Sequence, residues 1–217
     1  LSAADDLRGT TGTARVAAET EGLSLTALGP GRNRMFLRGV ADSALNGESQ
    51  STVAVVLNGA RLTFAAPDPD IRLVDVERVE LLKGPQGSLY GSGALGGIYN
   101  IVSRAPDTHD ASLTTTATLD AISGGQVQAG GSVIANLPIS DGTAGLRIVG
   151  YSAASPGWID TGDRSDSNRS RVIGGRAALG VDLGAGWQAD INGLAQWLGS
   201  DDSQYVYTSG ARSRLAQ

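Results

Sequence analysis

The residues best suited to acid–base or metal chemistry in this chain are two groups of aspartates. Asp160, Asp163 and Asp166 recur at every third position of a polar segment, and grouped carboxylates can hold calcium. The segment lacks the one-three-five oxygen pattern and the bidentate glutamate of a regular calcium loop, so we interpret it as a solvated loop. The second group lies within residues 68–75. An enzyme built on these loops would lose turnover when Asp163 or Asp166 is replaced.

Nucleophilic and redox chemistry have less support. The chain has no cysteine, which excludes disulfides and cysteine-ligated metal sites, and its one histidine, His109, has no ligand partner at a useful spacing. Ser88 and Ser92 lack a histidine or lysine base at a fixed spacing. Seventeen basic residues against twenty-two acidic ones give a formal charge of −5, which disfavours phosphate-rich partners. The sequence predicts no catalytic residue, metal site, cofactor or nucleic-acid partner.

Charged residues and glycines are concentrated in residues 77–97, which read ERVELLKGPQGSLYGSGALGG. The apolar residues predict a strand that ends at Gly84 and Pro85, because proline interrupts a sheet ladder and glycine allows a tight turn. A phosphate cradle would need a Gly-Lys-Ser/Thr end and a helix after it, and both are missing. We interpret the segment as a strand followed by a loop built from turns.

The elements that position these residues differ on the two sides of Pro106. Before it, short apolar runs separated by Gly- and Pro-rich turns predict a small mixed α/β domain. A short helix is predicted within residues 2–21 and a strand over 35–40. Segments 53–57 and 60–64 flank Asn-Gly, which accepts the two positive φ angles of a type I′ turn, so they predict a β-hairpin.

After residue 110, apolar and polar residues alternate with a period of two. In the first segment, Leu113, Ala117 and Leu119 oppose a face of threonines. This alternation is typical of strands with one apolar face, and consecutive strands of this kind predict an antiparallel meander. The predicted strands are residues 111–121, 126–137, 144–152, 171–183 and 187–197.

The connections between these strands alternate in length. Residues 140–143 and 183–186 are tight turns, whereas 152–170 is a long polar loop. Outer-membrane barrels have short periplasmic turns, long extracellular loops and aromatic residues at both interfaces. The aromatic residues near strand ends or loops are Trp158, Trp187, Trp197, Tyr205 and Tyr207. Alternation alone fits an ordinary soluble antiparallel sheet equally well.

Four motifs decide between these alternatives. Residues 35–39 read MFLRG, 53–61 read VAVVLNGAR, 76–92 read VERVELLKGPQGSLYGS and 93–106 read GALGGIYNIVSRAP. In this order they closely resemble the plug domain of TonB-dependent outer-membrane receptors, and the resemblance spans residues 23–106. Asn58 and Lys83 stand where that family more often has Asp and Arg, which keeps the turn and the charge.

The resemblance implies an α+β plug domain over residues 1–108, followed over 109–217 by antiparallel β-strands of an incomplete transmembrane β-barrel. It implies a transporter, and not an enzyme, in the outer membrane of a Gram-negative bacterium. The plug would gate the pore, with TonB acting through an N-terminal segment outside this chain and with outer-membrane lipid around the barrel. The expected ligand is a ferric siderophore, or otherwise vitamin B12 or an oligosaccharide. About five strands and no recognisable TonB box indicate a fragment.

The resemblance also implies residue roles. Plug–barrel ion pairs and gating are expected at Arg38, Glu77, Arg78, Glu80 and Lys83; solvated surface ion pairs are the alternative. Motif turns are expected at Gly39, Asn58, Gly59, Gly84, Pro85, Gly87, Tyr90, Gly91, Gly96, Gly97 and Asn100. Two polar loops between predicted strands are the candidate ligand-facing segments, with Asp42, Asn46, Glu48, Gln50, Asp68 and Asp70.

Two other functions remain open. One is a non-transporting structural or adhesive outer-membrane protein, and the other is a soluble plug-like binding module. A TonB box upstream of Leu1 in the full-length protein would distinguish the transporter from both.

Overall fold

The computed structural model describes residues 12–26, 28–39, 52–63, 68–86, 94–121, 127–140, 142–157, 159–160 and 165–201. Contacts divide the described residues into two units, and the division falls between Ser103 and Arg104. The part up to Ser103 is called the N-terminal unit and the part from Arg104 the strand unit. The sequence places this boundary a few residues later, after residue 108. No helix in the described ranges is long and apolar enough to cross a membrane.

The described part of the N-terminal unit contains one short helix and two small sheets. β1 and β2 form an antiparallel pair, and the other strands form a sheet in the order β4-β3-β6-β5. The elements are α1 (Thr13–Glu19), β1 (Leu23–Leu25), β2 (Met35–Leu37), β3 (Val53–Leu57), β4 (Ala60–Arg61), β5 (Val76–Lys83) and β6 (Gly97–Ser103).

The short helix lies within the predicted segment, residues 2–21, whereas β2 is shorter than the sequence suggests. The helix lacks a side-chain N-cap and has one i,i+4 ion pair, Arg15 Nε to Glu19 Oε1 at 3.0 Å. A helix this short depends on tertiary packing. β2 ends at Leu37 because the next two residues, Arg38 and Gly39, adopt φ angles of 53° and 75°, which an extended strand cannot contain.

The predicted β-hairpin is confirmed. Asn58 and Gly59 have φ angles of 49° and 83°, as a type I′ turn requires, and the turn joins β3 to β4. β4 ends at Arg61, although the sequence suggests a strand to residue 64. Thr63 continues the contact with β3 through its side chain, whose Oγ1 accepts a hydrogen bond from the Val55 amide at 2.6 Å.

The centre of this sheet is a parallel pair, β3 and β6, and β5 lies antiparallel on the other side of β6. Four consecutive residues of β3, Val53 to Val56, are buried. Strands covered on both faces have continuous apolar runs, whereas half-exposed strands alternate. The buried cluster of this sheet contains Ala54, Val56, Ala94 and Ile98, with Leu82 packed against it.

The strand unit contains five strands that pair in chain order, each antiparallel to the next, so the predicted meander is confirmed. Several strands are longer than predicted. β8 continues through Pro138, which lies at a register shift where a missing amide N–H is tolerated. The strands are β7 (Ser112–Ala121), β8 (Val127–Ser140), β9 (Ala144–Ser155), β10 (Ser170–Gly184) and β11 (Trp187–Ser200).

The two faces of this sheet differ as the alternation predicts. One face, called the apolar face, carries exposed large side chains: Leu113, Leu119, Val127, Val133, Leu137, Ile148, Ile173, Leu183, Trp187, Ile191 and Trp197. The opposite, polar face buries Gln128, Ser132, Asn136 and Arg176. This face also buries some apolar side chains: Ile134, Val149, Val172 and Ala178. Ile134 pairs across the strands with Val149.

Candidate functional site

The charged residues of the motif on β5 form a hydrogen-bonded row with Asn100 of β6. Arg78 Nε donates to Glu80 Oε1 at 2.7 Å, and Arg78 Nη1 also pairs with Glu77 Oε1. Asn100 Nδ2 donates to the other oxygen of Glu80, Oε2, at 2.9 Å. The antiparallel register places Glu80 directly opposite Asn100, so the sheet itself brings the amide to the carboxylate.

These bonds favour the charged states of Arg78 and Glu80. The hydrogen bond from Asn100, followed by the bond from Arg78, lowers the pKa of the Glu80 carboxyl below its usual value of 4.5. The bond to Glu80 in turn raises the pKa of the Arg78 guanidinium. The Arg78 and Glu77 side chains are about half exposed. The observed ion pairs therefore lie within the N-terminal unit, and a plug–barrel pairing of these residues stays a prediction.

Arg38 and Lys83 both lie next to the turn that follows α1. The Arg38 amide donates to the Gly22 carbonyl at 2.8 Å, and Lys83 Nζ donates to the Glu21 carbonyl at 2.9 Å. Lys83 thus ties the end of β5 to the segment between α1 and β1. Arg38 and Lys83 therefore lie close together, and Lys83 is hydrogen-bonded to the main chain there.

Gly97 shows most clearly why the motif needs glycine. Its φ angle is 142°, and a β-carbon at this position would overlap the carbonyl oxygen of Leu82 and a methyl carbon of Leu37. Positive φ angles also occur at Gly39, Asn58, Gly59 and Gly84. The amide of Gly96 donates to the Thr52 carbonyl at 2.9 Å, and Pro85 is exposed. Gly87, Tyr90 and Gly91 lie outside the described residues.

Tyr99 is more buried than Phe36, the other aromatic residue in the described part of this unit. It lies on β6 with 0% exposure, one residue before Asn100. Burial raises the pKa of its hydroxyl, and the Thr13 side chain opposes this shift to a smaller extent. The side chain therefore remains neutral and contributes to the packing between the sheet and α1.

Only two of the six candidate ligand-facing residues lie within the described ranges. Asp68 is buried, and its Oδ2 accepts a hydrogen bond from the Met35 amide at 2.7 Å. Asp70 is half buried beside Gly12, where an added β-carbon would lie 2.9 Å from Asp70 Oδ1. Both carboxylates therefore lie against other residues of the N-terminal unit. Asp42, Asn46, Glu48 and Gln50 lie outside the described residues.

The interpretation of the segment around Asp166 as a solvated loop is wrong. Asp166, Ser167 and Asn168 are buried, and their segment folds back on residues 159–160. Asp160 Oδ1 accepts the Asp166 amide at 3.0 Å, and Asn168 Oδ1 accepts the Ile159 amide at 2.9 Å. These side chains satisfy main-chain groups that a tight loop leaves unpaired. Within the described part of the chain, no group of three potential metal ligands occurs.

Sequence reasoning missed a hydrogen-bonded hub at Asn136 of β8. Asn136 is 1% exposed, and its Nδ2 donates to the carbonyls of Asp107 and Asp110 at 2.9 and 2.6 Å. Its Oδ1 accepts the Asp107 amide at 2.9 Å. We call Asn136 together with residues 107–110 the Asn136 clasp. The clasp fixes the start of the strand unit to the polar face of β8.

The turn held by the clasp is stabilised from within by Asp107. Its Oδ1 accepts the amides of His109 and Asp110 at 2.8 and 3.1 Å, and these bonds lower the pKa of the Asp107 carboxyl. Gly145 of β9 lets the Asp107 main chain approach closely, since an added β-carbon would lie 2.7 Å from its carbonyl oxygen. His109 is therefore part of a structural turn. A single amide on a polar strand face carries no sequence signal for such a hub.

Comparison with known families agrees with the motifs. Residues 3–98 match the model of the TonB-dependent receptor plug domain. The pesticin receptor of Yersinia enterocolitica is 64% identical over 36 residues, which are 17% of this chain and 5% of that protein. The vitamin B12 transporter BtuB of Photobacterium profundum is 30% identical over 158 residues, 69% of this chain and 25% of that protein. The chain thus spans a quarter or less of these relatives.

Solved structures share the fold over nearly the whole chain. The ferric yersiniabactin uptake receptor FyuA from Yersinia pestis superposes with a TM-score of 0.68 at 22% identity, covering 89% of this chain and 30% of that one. The ferripyoverdine receptor of Pseudomonas aeruginosa, solved bound to ferripyoverdine, gives a TM-score of 0.69 at 18% identity, covering 98% and 27%. At these identities the likeness concerns the fold.

Proposed function

Because residues 3–98 are the plug domain of a TonB-dependent receptor and the strands after them share the fold of such receptors, we propose that this chain is part of an outer-membrane transporter that imports a scarce ligand. The match to the plug domain is the observation that carries the proposal. The family consists of receptors and transporters and not of enzymes.

The apolar face of the strand unit supports placement in a membrane. Leu119 is 77% exposed, Trp187 is 73% exposed and Ile191 is 65% exposed, on a sheet whose other face is polar. A barrel wall presents such a face to lipid and the polar face to its lumen. We therefore place the protein in the outer membrane of a Gram-negative bacterium, with lipid covering the apolar face.

The proposed mechanism is gating of the pore by the plug. TonB pulls on a segment N-terminal to the plug, and the plug rearranges to open a path for the ligand. The Glu77–Arg78–Glu80–Asn100 row is half exposed and polar, so its rearrangement costs less than opening an apolar core. The Asn136 clasp holds residues 107–110 on β8, so the moving part of the plug lies before residue 104.

A ferric siderophore is the first ligand we propose. The relatives supporting it include the ferric yersiniabactin receptor and the ferripyoverdine receptor, while the BtuB relative supports vitamin B12 as the second choice. An oligosaccharide is the third. Polar loops over residues 41–51 and 65–70 remain the proposed ligand contacts, and replacing either loop in the full-length receptor should abolish ligand binding.

The test uses the full-length receptor in its own host. Cells lacking the receptor are compared with complemented cells for uptake of labelled ferric siderophores, vitamin B12 and oligosaccharides, with and without TonB. We expect one ligand to be imported only when receptor and TonB are both present, and to bind the cell surface without TonB. Uptake that is equal with and without TonB contradicts the proposal and favours a binding or adhesive protein. Recovery of the receptor in the soluble fraction favours a soluble plug-like module.

A further inference from the structure

A cavity of about 370 Å³ opens at one end of strands β8 to β11. Ala129, Ala154 and Arg171 lie side by side in its wall, in one register row of the apolar face. Trp197 of β11 and Arg169, just before β10, also line this cavity. The cavity thus combines two cations with an aromatic and small apolar side chains on a face that is otherwise apolar.

The two arginines are available to a ligand. Arg169 and Arg171 are both exposed, and neither makes an ion pair with any acid in the described ranges. Among the described residues of the wall, Asp201 supplies the carboxylate, and the Asp201 amide donates to the Arg169 carbonyl at 2.9 Å. Arg171 is the one arginine on the apolar face among the described strand residues. A cation at this position needs a counter-ion if lipid surrounds the sheet.

The end of the sheet at which the cavity lies identifies its surroundings. The Thr143 amide, which donates to the Ser140 carbonyl, and the turn at residues 185–186 lie at the opposite ends of the strands, together with the Asn136 clasp. The cavity lies where the longer connection between β9 and β10 begins and ends. In outer-membrane barrels the short turns are periplasmic and the long loops extracellular, which places the cavity at the level of the outer leaflet. Trp197, 58% exposed, fits an interfacial aromatic there.

We propose that this cavity binds the phosphorylated headgroup of an outer-leaflet lipid, with Arg169 and Arg171 holding the phosphate. Guanidinium groups form paired, charge-assisted hydrogen bonds with phosphate oxygens. The acyl chains of the same lipid continue along the apolar face past Ile173 and Trp197, which pair across β10 and β11. This inference rests on the proposed outer-membrane placement. A lipid is favoured over free phosphate because the cations lie beside exposed apolar side chains.

The test is lipid binding by the purified full-length receptor in detergent. Native mass spectrometry measures binding of bisphosphorylated lipid A, of the same lipid without its phosphates, and of inorganic phosphate. The key variant is the double substitution Arg169→Gln and Arg171→Gln. The control is Arg104→Gln, the same type of substitution at an exposed arginine outside the cavity, and it removes one positive charge where the double variant removes two. Asp201→Asn removes a carboxylate of the cavity wall that opposes the phosphate.

We expect the double variant to bind lipid A at least about tenfold more weakly, Arg104→Gln to bind it as the parent does, and Asp201→Asn to bind it more tightly. Equal binding by the parent and the double variant overturns the inference, as does equal binding of lipid A with and without phosphate. If inorganic phosphate binds as tightly as lipid A, the ligand of the cavity is a free anion and the inference of a lipid is wrong. Heat-modifiable migration on a gel reports barrel formation separately, so a closed barrel without arginine-dependent lipid binding contradicts this inference and leaves the transporter intact.

Discussion

The two units of this chain bury their β-strands in different ways. In the N-terminal unit, β3 buries four consecutive residues, from Val53 to Val56, because the parallel pair with β6 is covered on both faces. In the strand unit, β8 alternates between buried Gln128, Ser132 and Asn136 and exposed apolar residues. Among the described residues of the first unit, Leu95 is an exception in being exposed, and the other large apolar side chains are at least partly buried. The second unit exposes large apolar side chains along one face, which is what the proposed barrel wall would present to lipid.

The largest effect expected from this comparison is at Gly97. The substitution Gly97→Ala forces a β-carbon against the Leu82 carbonyl at a φ angle of 142°, and neither the clash nor the angle can be relieved by a side-chain rotation. We expect a loss of about 4 kcal/mol in the local opening free energy of β6, combining strain and overpacking. Hydrogen exchange of the β6 amides in the full-length receptor measures this. Gly150→Ala in β9 is the control, since nothing lies within 4 Å of its added β-carbon; equal effects would contradict the packing difference.

The second prediction concerns the two faces of β7 and uses two neighbouring threonines. Thr115 lies on the apolar face opposite Val133, near the middle of β8, whereas Thr114 lies on the polar face opposite Ile134. Thr115→Arg places a charge in lipid and should destabilise the folded barrel by about 3 kcal/mol, while Thr114→Arg should cost far less. Urea unfolding of the full-length receptor in lipid vesicles measures both. A larger cost at Thr114 would reverse the assignment of the faces.

The third prediction concerns the Asn136 clasp. Asn136→Ala leaves the Asp107 amide and the carbonyls of Asp107 and Asp110 without their side-chain partner. We expect the local opening free energy of residues 107–110 to fall by about 2 kcal/mol, so that their amides exchange about thirtyfold faster. Asn192→Ala, at an exposed polar-face position of β11, should leave this exchange unchanged. If ligand uptake is lost while binding is kept, the clasp is also needed for gating.

The smallest effect is expected when the pH is lowered around the hydrogen-bonded row of Glu77, Arg78, Glu80 and Asn100. Glu80 has a lowered pKa in the folded protein, so its carboxylate stabilises the fold above its usual value of 4.5, and this contribution is lost as the pH falls through the lowered folded value. Protection of residues 76–83 against hydrogen exchange should therefore be constant at neutral pH and fall below about pH 4.5. Glu80→Gln should remove this pH dependence. If protection still falls at low pH in the Glu80→Gln variant, another titrating group is responsible for the pH dependence.

Most of the strand unit follows from the sequence because a period of two reports directly which side chains share a face. The alternation of Leu113, Ala117 and Leu119 with threonines predicted β7 and its apolar face. The strand ends were less accurate, because Pro138 in β8 interrupts the pattern without ending the strand. Alternation also leaves the surrounding solvent undecided, and the motifs of the first half were needed to interpret the apolar face as lipid-facing.

The candidate site was predictable only in part. The motif placed Glu80 in a strand but Asn100 at a turn, and the turn prediction is wrong because Asn100 lies inside β6. The hydrogen bond between the two depends on the register between β5 and β6. Asn136 had no sequence signal, since its partners lie about thirty residues earlier in the chain and are mainly main-chain groups. The loop around Asp166 was misread because aspartates that bond main-chain amides have the same composition as aspartates in water.

The sequence by itself determined the local features of this protein: the type I′ turn at Asn58 and Gly59, the strand before Gly84 and the two-faced strands after residue 111. These depend on the φ preferences and polarity of neighbouring residues. Only the tertiary structure decided the parallel pairing of β3 with β6, the close approach at Gly97 and the Asn136 clasp. It also decided that Arg171 and Trp197 line the same cavity. Each of these joins residues far apart in the chain, and long-range register and packing leave no periodic trace in a sequence.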